Sequence, residues 1–190
     1  MADDDALRIE FLSPAETAEA LARISASADL VNAAYKDAEK GLWLDDAQRT
    51  TPQEIRALAL AGEIAVAWSD REIVGCVRIR RLDGGLGEFG MLAASAQRRN
   101  SGIGRKLVRF AEEHCRQAGL DTIQLELLVP RDWTHPFKEF LAEWYARLGY
   151  RRVGLGAMDE SYPDLTPHLA TACDFAIYHK ALKPRAADSE

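Results

Sequence analysis

Between Glu88 and Val129 the hydrophobic repeat changes twice. Glu88 to Ala94 reads as a strand. From Gly102 onward Ile103, Leu107, Phe110, Ala111 and Ala118 fit one face of a helix, which Gly119 ends as a C′ glycine. Ile123, Leu125, Leu127 and Val129 then alternate until Pro130 stops the run. A strand, a helix and a strand in succession form a crossover, and a crossover makes its two strands parallel. The order therefore suggests a local parallel pair inside an otherwise antiparallel sheet.

The rest of the sequence supplies antiparallel company. Leu7 to Leu12 reads as a short strand. Ser13-Pro14 carries cap and N1 chemistry for a helix through Ala18 and Leu21 towards Ile24, and a second helical stretch covers about 28 to 38. Thr51, Pro52 and Glu54 form a capping box for a third. Ile64, Val66 and Trp68 alternate, turn at Asp70-Arg71, and resume at Ile73, Gly75, Val77 and Ile79, a hairpin. Asp83-Gly84-Gly85 turns the chain again into the strand at Glu88. After the crossover, Phe137, Phe140, Leu141, Trp144, Tyr145 and Leu148 lie at helical spacing. Tyr150 to Val153 reads as a short strand, residues 155 to 172 as a long irregular segment able to act as a lid, and Cys173 to Leu182 as a last strand. The fold class is α/β (α+β): a mixed, mostly antiparallel sheet flanked by helices. With 190 residues the chain is expected to be one domain, 1–190, with frayed ends at 1–5 and 185–190.

Composition narrows the function classes. The 24 basic and 30 acidic residues leave a net charge of −6, which argues against a general nucleic-acid binder. No apolar run reaches the roughly 18–20 residues of a membrane span. The start, MADDDALRIE, is acidic where a secretory signal is basic, so a cytoplasmic protein is expected. Cys76, Cys115 and Cys173 are an odd number without CxxC spacing, so reduced buried thiols are expected and no metal site. His114 beside Cys115 is not a nucleophile–base pair, because helix neighbours point about 100° apart.

The stretch that carries chemistry is Gln97-Arg98-Arg99-Asn100-Ser101-Gly102-Ile103-Gly104-Arg105-Lys106, between a strand and the first turn of a helix. Two glycines let a ligand approach the backbone. The free N–H groups of a helix start and its positive dipole end suit an anion. Residues 97–109 hold five basic side chains (Arg98, Arg99, Arg105, Lys106, Arg109) and no acidic one. This local charge fits a polyphosphate. A P-loop, GxxxxGK[ST], is absent, and Leu107 fails the third glycine of a dinucleotide fingerprint. A plain helix start with a solvated charged face is the competing reading.

The arrangement Arg99-x-x-Gly102-x-Gly104 between a strand and an amphipathic helix resembles the R/Q-x-x-G-x-G/A signature of the GNAT N-acetyltransferase superfamily. The flanks GEFGMLAASAQRRNSGIGRKLVRFAEEHCRQAGL and EFLAEWYARLGYRRVG, the latter with its Tyr-x-x-Leu-Gly-aromatic ending, are similar to that family too. The motif-bearing core is about 86–154. The resemblance implies a sheet splayed between its fourth and fifth strands and acetyl-CoA as acyl donor. It implies pyrophosphate contacts from Asn100, Ser101, Gly102, Ile103, Gly104 and Arg105, with charge from Arg99 and Arg105. The backbone of Leu92, Ala93 and Ala94 would pair with the pantetheine arm.

The same resemblance makes Tyr145 the acid that protonates the departing sulfur, although by period alone Tyr145 belongs to the apolar stripe. Glu88 is similar in position to the glutamate base of the histone-acetyltransferase branch, with an ordinary end-of-strand carboxylate as the bland alternative. Glu126 interrupts the apolar run IQLELLV and competes as base or substrate contact; His135 is a weaker candidate. The asparagine that the family often has one to two turns before that tyrosine on the same helix is absent, and Phe137 and Lys138 stand there. Trp43 with Asp45 and Asp46 would hold a cationic acceptor by ring contact and charge, against the alternative of a solvated acidic loop. The expected activity is acetyl transfer to a primary amine of a small molecule such as an amino acid, polyamine or antibiotic. Protein N-terminal or lysine acetylation and a silent acyl-CoA sensor are the rivals. The expected partners are the amine and, in a homodimer, a second copy; neither nucleic acid nor membrane is expected.

Overall fold

The computed structural model describes residues 7–45, 47–98 and 100–182. The expected frayed ends lie outside these residues. In chain order the elements are β1 (Arg8–Phe11), α1 (Ala18–Ala38), α2 (Pro52–Leu60), β2 (Ile64–Ser69), β3 (Glu72–Arg81), β4 (Gly87–Ala94), α3 (Ile103–Gln117), β5 (Thr122–Pro130), α4 (Pro136–Arg147), β6 (Arg151–Ala157), α5 (Met158–Ser161) and β7 (Cys173–Ala181). The chain gathers into two compact units. One takes the residues up to Lys36, with Gln48–Arg80 and Phe89–His114; the other takes Asp37–Ala47, Arg81–Glu88 and the chain from Cys115 onward.

In the first unit β1 pairs antiparallel with β2, and β2 with β3. The strands follow in the order β1-β2-β3-β4. All six residues of β2 are buried, so this central strand is covered on both faces. Its larger side chains, Ile64, Val66 and Trp68, join Leu12, Ile24, Val31, Ile55, Leu58 and Met91 in one core cluster. The two helical stretches expected before residue 38 are one helix of 21 residues. Its interior serines do not break it: the buried Ser27 hydroxyl donates to the Arg23 carbonyl at 2.8 Å and so remains satisfied. The cap also differs from expectation. Ser13-Pro14 precedes the helix by several residues, and Thr17 Oγ1 accepts from the Ala20 amide at 3.2 Å. Thr51 caps α2 as expected, accepting from the Glu54 amide at 3.2 Å. The Glu54 carboxylate takes the Thr50 hydroxyl at 2.8 Å.

In the second unit the first two residues of β4 run parallel to β5, Gly87 opposite Ile123 and Glu88 opposite Gln124. The parallel pair expected from the crossover is therefore present, and the whole is a mixed seven-stranded sheet. β5 pairs antiparallel with β7 along its whole length, and β7 with β6. β6 is longer than expected, reaching Ala157, and the segment read as irregular carries α5 and a helical turn at Thr166–His168. That segment is anchored. Leu44 N–H donates to the His168 carbonyl and Ala170 N–H to the Leu42 carbonyl, both at 2.9 Å. Leu165, Leu169 and Tyr162 pack on a small core of Leu42, Leu128, Met158 and Cys173.

Candidate functional site

In the first unit the site is made of backbone. Asn100 (φ 65°) and Gly102 (φ 78°) are left-handed, and they turn the chain sharply before α3 begins at Ile103. A Cβ on Gly102 would meet nothing within 4 Å, so there is open room beside the backbone at that point. The first intrahelical bond here runs from the Lys106 amide to the Gly102 carbonyl at 3.0 Å. The amides of Ile103, Gly104 and Arg105 precede it and point out of the helix start. Asn100, Ser101, Arg105, Lys106 and Arg109 are exposed, whereas the Ile103 side chain is buried and fixes the first turn to the core. Arg98 is committed elsewhere: it donates to Ser69 Oγ at 2.6 Å. Arg99 lies outside the described residues.

Leu92, Ala93 and Ala94 close β4. Just before them Met91 has φ 47°, a left-handed residue inside a strand, and its carbonyl lies 3.6 Å from Cys76 Sγ. Such a residue re-aims the amide planes on either side of it. Alternation alone concealed it, because methionine carries no turn signal. Burial pushes the Cys76 thiol up to about 12, with a backbone hydrogen bond from Ala93 opposing the shift, so it remains a protonated donor. Cys173, raised to about 11 mainly by burial, is equally unsuited to nucleophilic work.

In the second unit the polar residues are side chains. Glu88 is 7% exposed and accepts from Gln124 Nε2 at 2.8 Å. Glu126, two residues along β5 on the same face, accepts from the Tyr162 hydroxyl at 3.0 Å. The structure thus brings the two candidate carboxylates to one face of β5. Tyr145 belongs to the other. It is 6% exposed, and its ring lies 6.5 Å from Tyr178, which pairs with Leu125, and 6.0 Å from Tyr150. Acid and base candidates therefore approach β5 from opposite faces.

In the loop after α1 the Trp43 indole is engaged within the protein. Trp43 Nε1 donates to Glu39, and Glu39 forms a buried ion pair with Lys138 of α4, their side chains 4% and 6% exposed. Asp45 is exposed, and Asp46 lies outside the described residues. Lys138 stands where the family's asparagine is absent, and nothing local in the sequence pairs it with Glu39, because the two lie 99 positions apart. His135 precedes α4 with a buried Nδ1 that has no hydrogen-bond partner, and its ring lies 5.4 Å from Trp133. Among the described residues no group of three or more His, Cys, Asp and Glu is arranged to hold a metal, and no helix is long and apolar enough to cross a membrane.

Comparison with known proteins agrees with this architecture. No curated protein matches the chain. An aminoglycoside 6′-N-acetyltransferase solved with coenzyme A superimposes with a TM-score of 0.66 at 19% identity, over 94% of this chain and 98% of that one. The Salmonella typhimurium protein yncA, solved with its cofactor acetyl-CoA, gives 0.64 at 14% identity, over 97% and 98%. N-acetylglutamate synthase from Neisseria gonorrhoeae, solved with coenzyme A and N-acetyl-glutamate, gives 0.61 at 17%, over 94% of this chain and only 35% of that protein. At these identities the likeness is one of fold. The family model described as acetyltransferase (GNAT) family matches residues 28–150, a span that takes in β4, the glycine-opened start of α3, β5 and Tyr145 on α4. With that match over most of its length, the chain belongs to the GNAT acetyltransferase family.

Proposed function

We propose that the protein transfers an acetyl group from acetyl-CoA to a primary amine of a small molecule by direct attack. The observation that carries the donor half is the start of α3: three outward amides, open room beside Gly102, and exposed Arg105, Lys106 and Arg109. That is the chemistry a pyrophosphate needs. The Leu92–Ala94 backbone, re-aimed by Met91, offers hydrogen bonds to an extended amide-bearing arm. Coenzyme A and acetyl-CoA in the structural neighbours support the same donor.

The acceptor half rests on the carboxylates of β5's polar face. A primary amine with an ordinary pKa near 10.4 is about 3.4 units from its nucleophilic form at pH 7, roughly 4.6 kcal/mol. Glu88 takes that proton, directly or through water, and Glu126 attracts the cation before it is lost. Tyr145 returns a proton to the departing thiolate, the role its place in the family motif supports. The acidic face favours a basic acceptor, and the names of the neighbours point to aminoglycosides and amino acids as first trials.

The deciding experiment measures free thiol released from acetyl-CoA with a panel of amino acids, spermidine, an aminoglycoside and peptides bearing free N-termini or lysines. Turnover with a small amine is expected. Turnover with peptides alone would transfer the reading to protein acetylation, and acetyl-CoA binding without any turnover would make the chain a sensor.

Two substitutions test the halves separately. Gly104→Asp sets a carboxylate in the first turn of α3, where it suits the helix dipole but repels a pyrophosphate. It should fold normally and bind acetyl-CoA about tenfold or more weakly by calorimetry; unchanged affinity would refute this donor site. Tyr145→Phe retains the ring contacts with Tyr150 and Tyr178, so the melting temperature should stay near wild type. Loss of the acid should lower kcat by about 10- to 1,000-fold. A normal melt together with a wild-type rate would assign Tyr145 to the core alone.

A further inference from the structure

Four strands of the second unit place one polar residue each in a single register row. Glu88 of β4 stands opposite Gln124 of β5, Gln124 opposite His179 of β7, and His179 opposite Arg151 of β6. Gln124 Nε2 is 2.8 Å from Glu88 Oε2, and Gln124 Oε1 is 2.9 Å from His179 Nε2. Chemistry fixes the directions. An ionised carboxylate only accepts, so the amide must turn its NH2 towards Glu88. Its oxygen then faces the imidazole and also only accepts, so His179 must carry hydrogen on Nε2. Turning the amide over would set its oxygen against the carboxylate and lose the bond to Glu88.

We propose that Gln124 and His179 are positioning residues for Glu88: the His179 Nε2–H locks the Gln124 amide, and the locked amide holds and aims the Glu88 carboxylate. This rests on the reading of Glu88 as base. The need follows from burial, because a carboxyl that is 7% exposed is penalised when charged, and a hydrogen bond to the charged form opposes that penalty. Gln124 is itself only 9% exposed, so water competes poorly for its amide. Among the described residues of this unit, the titratable and charged groups placed on this face are Glu126, two residues along β5, with the Tyr162 hydroxyl that donates to it, His179 and Arg151 farther along the row, and Cys173 at the far end of β7. Gln124 has no proton to surrender, so the row orients and does not relay.

The test needs no acceptor. The full-length protein is labelled with carboxyl-13C glutamate, and the Glu88 resonance is assigned by its loss in Glu88→Gln. Titration is then compared in wild type, Gln124→Leu, His179→Leu and His179→Gln, each with a melting curve. Removing a bond to the charged form raises the midpoint. An upward shift of about one unit or more is expected in Gln124→Leu, and a shift of the same sign in His179→Leu. His179→Gln, whose amide nitrogen reaches about as far as Nε2, should restore the wild-type midpoint. A 15N spectrum should find His179 hydrogen on Nε2.

Unchanged Glu88 midpoints in the folded variants, or His179 bearing hydrogen only on Nδ1, would overturn the proposal. If Gln124→Leu fails to fold, the His179 pair carries the comparison. The base reading fails separately, through a wild-type rate in Glu88→Gln. Shifted midpoints with that rate retained leave the network standing and remove its catalytic purpose.

Discussion

Glu88→Gln is expected to lower kcat/KM for the amine by about 10²–10⁴-fold, the usual contribution of a positioned general base. The exchange is isosteric, and an amide at position 88 still finds a hydrogen-bond partner in Gln124, so folding and acetyl-CoA affinity should be retained. The pH profile separates a base from a structural carboxylate. A base works only when ionised, so wild-type kcat/KM falls as pH drops through its midpoint, and Glu88→Gln should lose that acidic limb along with the rate. Glu126→Gln provides the internal comparison. It shares the face of β5 and is held by Tyr162, so it should raise KM for a cationic amine while leaving kcat largely intact. A wild-type rate in Glu88→Gln together with a collapse in Glu126→Gln would move the proton transfer to β5.

What could be read in advance was whatever rests on local pattern. The period change at 88–129 gave the crossover, and Gly119 ends α3 with φ 73° as a C′ glycine should. The glycine pair at 102 and 104 marked the helix start because only backbone chemistry is needed there. Patterns failed where tertiary contacts override them. The expected separation of a helix ending near Ile24 from one at about 28 to 38 gives way to a single helix, in which the Ser27 bond to Arg23 removes the cost of burying a hydroxyl. The left-handed Met91 has no residue signature. The row Glu88–Gln124–His179 was hidden for another reason: it depends on the register of β4 against β5 and of β5 against β7, and register is a property of paired strands that no single strand contains. Glu88 and Glu126 were visible as carboxylates, but their shared face and their separate partners were not.

Lys138→Met should destabilise the protein by about 3–5 kcal/mol, the usual consequence of leaving one member of a buried pair without its counterion. Lys138 Nζ and Glu39 are both almost wholly buried, and the same carboxylate accepts the Trp43 indole N–H. Methionine nearly matches the lysine stem in volume, so the loss is electrostatic and not a cavity. The double variant Lys138→Met/Glu39→Gln should recover most of the deficit, because the amide is neutral and its oxygen still takes the Trp43 hydrogen. Denaturant midpoints for the four members of this cycle give the coupling directly. The pair also sits at the loop that carries Trp43, so the single variant should disturb that indole, and its fluorescence should shift in the native state while the double variant stays near wild type. A Lys138→Met protein within about 0.5 kcal/mol of wild type, the range of ordinary surface substitutions, would mean that Glu39 is hydrated or otherwise compensated, and that the ion pair does not hold the start of α4 against this loop.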